Sequence, residues 1–127
     1  MKSLVIASIL FLLTVVFITV NFFIIDNLLS ETMQLIDMLP FKIETENDKA
    51  LAQDILNRTQ TYWDKMETYI SATIEHKMRR EFIQEFTRTK GFFESGMYND
   101  YSSSLELLST MIEYIKFNEG ISFGNIM

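Results

Sequence analysis

The sequence predicts an all-α protein, with an N-terminal transmembrane helix continuing into an extracytoplasmic up-down bundle of three to four helices. Residues 4–25 read LVIASILFLLTVVFITVNFFII, without a single charge. Beyond them apolar residues recur at spacings of three and four almost throughout, the period of a helix with one buried face. Only 4 glycines and 1 proline occur in 127 residues, too little turn material for an all-β fold. The chain divides into a membrane anchor (1–26), a juxtamembrane helix and connector (27–47) and a helical bundle domain (48–127).

As a helix the apolar run rises roughly 33 Å at about 1.5 Å per residue, against a hydrocarbon core of about 30 Å. Ser8, Thr14, Thr19 and Asn21 are its polar members. Hydroxyls in such a helix bond back to the preceding turn at little cost. A cleaved signal peptide has a shorter apolar stretch followed by small residues, whereas Phe22, Phe23, Ile24 and Ile25 stand at that place. A buried core helix would need more surrounding chain than follows. A type IV pilin would need a Gly-Phe processing site and a glutamate inside the run, and the sequence has neither. An uncleaved anchor remains, meeting membrane lipid through residues 4–25. Lys2 precedes the span and the next cation is Lys42, so the positive-inside rule puts the N-terminus in the cytoplasm and the bulk of the chain outside.

From Leu28 the stripe continues through Leu29, Thr32, Leu35, Ile36 and Leu39. The anchor helix therefore extends to about Leu39, where Pro40 disfavours helix at the residue before it. Residues 41–47 connect, and Asn47 or Asp48 offers a side-chain acceptor to cap the next helix. That helix carries Leu51, Ile55, Tyr62, Met66 and Ile70 on one face, with Leu56 and Trp63 beside them, and weakens near Ser71, Ala72 and Thr73. A third helix follows His76, with Phe82, Ile83, Phe86 and Phe93 inward. Gly96 suits its left-handed end. Asn99 or Asp100 caps the last helix, whose seam is Tyr101, Leu105, Leu108, Met111, Ile112 and Ile115, and Gly120 marks its end. NDKALAQDIL echoes NDYSSSLELL, either as a duplicated helical hairpin or as two helices that each need a cap.

The MKSLVIASILFLL opening, Trp63 in the first soluble helix, the Ile74-Glu75-His76 step, the Asn-Asp helix start and the closing SFGNIM together resemble a family of small membrane-anchored proteins. These occur in anaerobic spore-forming Gram-positive bacteria and are classed as a domain of unknown function. The resemblance covers essentially the full length. Some members are encoded beside a multi-spanning membrane protein, which implies an integral membrane partner. The family has no established activity, so no functional residue is carried over.

Absent cysteine excludes disulfides and thiolate chemistry, and a single histidine excludes sites that need two imidazoles. A formal charge of −6 argues against nucleic-acid binding. No catalytic, cofactor-binding or metal-binding set is readable. The Glu-x-x-His of four-helix carboxylate sites is missing because residue 73 is Thr. Candidate interaction residues are fewer. His76 is either a pH-sensitive or ligand-binding group or a helix-boundary histidine. Lys77, Arg79 and Arg80 would meet anionic headgroups, wall polymer or an acidic partner, unless Glu75 and Glu81 neutralise them at helical spacing. Trp63 is an interface anchor or a core residue. Phe92 and Phe93 cannot both face inward, which leaves Phe92 partly exposed. Ile121, Phe123 and Ile126 form a docking tail or close the end of the bundle. The expectation is a non-enzymatic accessory or interaction subunit of a membrane or envelope assembly. The alternative is a small-ligand sensor resembling a chemoreceptor outer domain that relays to a partner.

Overall fold

A computed structural model describes the backbone of residues 1–74 and 76–126, and the side chains of all of these except 72, 73 and 119–126. The described residues are helical and contain no strand: α1 (Lys2–Asp37), α2 (Glu46–Lys65), α3 (Glu67–Thr73), α4 (His76–Glu94) and α5 (Tyr98–Ile126).

No glycine or proline interrupts residues 2–37, and α1 is one unbroken helix. It is long and apolar enough to cross a membrane. Large apolar side chains from Leu4 to Phe17 stand exposed along it. The polar groups of this stretch are satisfied within the helix. Ser8 donates to the Leu4 carbonyl at 2.9 Å, Thr14 to Leu10 at 2.8 Å, Thr19 to Val15 at 2.8 Å and Asn21 to Phe17 at 2.9 Å. That internal pairing is what a lipid-exposed segment requires. From Ile25 onward the same helix changes role, and Ile25, Leu28, Leu29, Thr32, Leu35 and Ile36 are buried.

Several local expectations need correction. α1 ends at Asp37, two residues before Leu39, in a tighter turn where the Leu39 N–H donates to the Ile36 carbonyl at 3.1 Å. The cap of α2 is Thr45, not Asn47 or Asp48. The Thr45 hydroxyl accepts from the Asp48 N–H at 3.1 Å, and the Asp48 carboxylate accepts from the Thr45 N–H at 3.0 Å. This is a capping box, so Asp48 serves from inside the first turn. In α2 the buried stripe is Ala52, Ile55, Leu56, Thr59 and Trp63, while Leu51 is 43% exposed. The small Ala52 occupies the inward position. The helix breaks at Met66, earlier than Ser71, although the backbone ladder resumes at once with Ile70 N–H to Met66 carbonyl.

In α4, Phe82, Phe86 and Phe93 are buried, but Ile83 faces out and Glu85 and Thr89 take inward positions. The helix ends as expected at Gly96, whose φ is 75°. Met97 N–H donates to the Phe92 carbonyl and Gly96 N–H to Phe93, the paired bonds of a Schellman turn. α5 starts at Tyr98, so Asn99 and Asp100 lie in its first turn and do not cap it. It also runs through Gly120 to Ile126. One glycine in a helix costs only about 1 kcal/mol relative to alanine, too little to end it.

The helices run alternately up and down. α5 packs antiparallel to α1, with the Tyr101 hydroxyl donating to the Pro40 carbonyl at 2.8 Å and Lys116 Nζ donating to Ser30 Oγ at 2.9 Å. Ser102 also donates to the Phe41 carbonyl. α4 lies against α5, and α2 and α3 lie against α1. Trp63 stacks on Phe82 with ring centroids 4.3 Å apart, which closes the ring between α2 and α4.

The two hairpins repeat their buried positions. Thr32, Leu35, Ile36 and Leu39 correspond to Phe82, Glu85, Phe86 and Thr89. Ala52, Ile55, Leu56, Thr59 and Trp63 correspond to Tyr101, Ser104, Leu105, Leu108 and Ile112. The Asn-Asp echo is three residues out of that register, so the repetition lies in the core layers and not in the echoing step.

Candidate functional site

Trp63 belongs to the core. It is 7% exposed, and its indole N–H donates to Thr32 Oγ1 at 2.9 Å. Phe93 is buried and Phe92 is half-buried, packed against the core. The side chains of Ile121, Phe123 and Ile126 lie outside the described residues.

The remaining candidates cluster at one end. From the Trp63–Thr32 contact, the chain through α3 to Ile70 advances about 10 Å at about 1.5 Å per residue, toward the level of Ile25. Ile70 and Ile74 are buried in the same core as Ile25. The Asn118 amide meets Met78 sulfur at 3.8 Å, two residues beyond Lys116 on α5. The α3–α4 turn therefore sits where the apolar part of α1 leaves the bundle, which we term the stem end.

His76, Lys77 and Arg80 are exposed there and Arg79 is half-buried. The Arg79 guanidinium lies 2.7 Å from His76 Nδ1. A guanidinium can only donate, so Nδ1 accepts and the ring proton resides on Nε2. His76 thus stands at the start of α4 and pairs with a side chain of the same helix. Among the described residues the ion pairs are Lys49–Glu46, Arg58–Asp54 and Arg88–Glu85, and none involves Lys77, Arg79 or Arg80.

Exposed aromatic side chains stand toward the same end, with Tyr114 further up α5 than Phe117. Tyr69 is 47%, Tyr114 59% and Phe117 66% exposed. Sequence reasoning missed these three because they fall between stripe positions, and only the antiparallel register brings α3 and α5 level there. The opposite end differs. It carries Glu44, Glu46, Asp48 and Asp100 beside Lys42 and Lys49, and Lys49 is held by Glu46 at 3.1 Å.

A second feature hidden from sequence is a buried polar cluster between α4 and α5. Ser104 donates to Glu85 Oε1 at 2.7 Å, Thr89 donates to the Glu85 carbonyl at 2.9 Å, and the two hydroxyls lie 2.6 Å apart. Two hydroxyl protons face three contacts, so two of the three carry a hydrogen bond at once. Among the described residues no group of three His, Asp or Glu could hold a metal ion. A small cleft beside Trp63 and Phe82, bordered also by half-buried Gln60 and exposed Ile83, is about 20 Å³, room for one water. A groove of about 250 Å³ between α2, α3 and α4, walled by Asp64, Glu67 and Arg79, opens to the surface.

A helical bundle built onto a single helix long enough to cross a membrane defines the class. The chain belongs to the family described as a domain of unknown function, DUF4363, which it matches over residues 18–126. The match begins inside the apolar part of α1, so the emerging stem is part of the family's domain. Neither a curated protein nor a solved structure matches the chain.

Proposed function

We propose that this protein is a single-pass, non-enzymatic accessory subunit of a membrane or envelope assembly. α1 stays uncleaved in the cell membrane with its N-terminus cytoplasmic, and the bundle is extracytoplasmic. One observation carries the reading: a single unbroken helix has a bare apolar half and a half that is a wall of the bundle core. A leader destined for removal has no need to share a rigid helix with the folded domain. The function is binding, and an integral membrane protein is the partner that such a tether brings within reach.

In-membrane cross-linking followed by purification in mild detergent, at native expression, tests the proposal. The expected result is recovery of one membrane or envelope protein with the chain. Recovery of the chain alone, or of chain cross-linked only to itself, contradicts it.

A further inference from the structure

Granting the membrane reading above, we propose that the stem end of the bundle is a docking surface for anionic lipid headgroups. Lys77, Arg79 and Arg80 supply the charge, and Tyr69 and Phe117 supply the interfacial aromatic contact.

Two independent observations converge on this surface. α1 has no glycine or proline to act as a hinge, so the stem end stays near the bilayer through which α1 passes, and the tilt of the whole helix sets how closely it approaches. Whatever lies at the stem end faces the headgroups, and what lies there is the α3–α4 turn. Its three cations have no carboxylate within ion-pair distance among the described residues. The carboxylates described nearby are Asp26, Glu67 and Glu81, with Asp64 in the groove beside Arg79. Clustered cations close to a bilayer are attracted to anionic lipid over a Debye length.

The second observation is apolar. Tyr69 and Phe117 are exposed near the level of Asp26, where the uncharged run of α1 ends. Aromatic rings favour that depth in a bilayer. A solvated face would explain the cations but not an aromatic ring at the same height.

The absence of cysteine makes the test direct. Ser71, exposed beside the turn, is changed to Cys in the full chain and labelled with a fluorophore. The protein is reconstituted into phosphatidylcholine vesicles with or without phosphatidylglycerol, each doped with headgroup-nitroxide lipid. Quenching should be roughly twofold stronger in the anionic vesicles, should fall to the neutral level at high salt, and should fall likewise in K77Q/R79Q/R80Q. The R79K/R80K variant keeps the charge and should keep the quenching, which separates charge from folding. Equal quenching in both lipids overturns the proposal and leaves the cations to an acidic protein. Failure of the unlabelled chain to float with either vesicle overturns the membrane reading beneath it.

Discussion

The indole N–H of Trp63 donates to the hydroxyl of Thr32 at 2.9 Å, and that hydroxyl donates onward to the Leu28 carbonyl at 2.8 Å. Both residues are buried. The chain of bonds ties α2 to α1 just above the stem end and fixes the height at which the α3–α4 turn sits. Thr32→Val keeps the shape and removes the acceptor, so the indole N–H is left buried without a partner. The expected cost is about 1–3 kcal/mol, measured by urea unfolding of the full chain in detergent, with Thr32→Ser close to wild type.

The Glu85–Ser104–Thr89 cluster joins α4 to α5 in the same manner. Ser104→Ala removes the donor to a carboxylate that is 7% exposed. The expected loss is again about 1–3 kcal/mol, and hydrogen exchange should rise along the facing turns of α4 and α5 before the rest of the bundle. A variant as stable as wild type would show that Arg88, 3.6 Å from the other carboxylate oxygen, or solvent already satisfies Glu85.

Tyr101 ties α5 to the α1–α2 connection through the Pro40 carbonyl at 2.8 Å, and burial pushes its phenol well above the usual tyrosine value of 10.0. A raised folded value means that the neutral phenol stabilises the fold fully below pH 10 and that this contribution is lost as pH rises above it. Of the 5 tyrosines, this one should ionise only on unfolding in an ultraviolet titration. Tyr101→Phe should lose about 1 kcal/mol at neutral pH and flatten the decline above pH 10.

Asp48 is shifted the other way. The backbone N–H groups of Glu44 and Thr45 hold its carboxylate below the ordinary value of 3.8. A depressed value means that stability is present above pH 3.8 and lost as pH falls through the folded value. Asp48→Asn should lower the melting temperature at pH 7, and the gap from wild type should narrow as pH falls below 3.8 through the folded value. An unchanged gap would remove the capping box from the account.

Much of this fold was legible because helical period and an uncharged run are local signals. α1 and the five core residues of the α5 seam, Tyr101, Leu105, Leu108, Ile112 and Ile115, are where spacing places them. Caps were less legible, since Asp is favoured both at an N-cap and in the first turn, where it meets the helix dipole. That ambiguity put Asp48 and Asp100 one role away from their places. The inward turn of Ala52, Glu85 and Thr89 was hidden because it depends on how closely neighbouring helices approach, which spacing does not encode. Of the candidate site, the basic step at 77–80 was readable as composition. Its position beside the stem, and the aromatic side chains around it, needed the register between α1, α3 and α5.

The central claim is that an uncleaved α1 holds the bundle outside the cell, and one labelling experiment tests it most directly. Thr61, exposed on α2, is changed to Cys in a chain that has no other cysteine. Intact cells are then treated with a membrane-impermeant maleimide, and the labelled protein is recovered and its mass determined. The account predicts labelling without lysis, in the membrane fraction, on a chain that still carries residues 4–25. A label that enters only after lysis, or a soluble product that begins beyond Phe23, contradicts it.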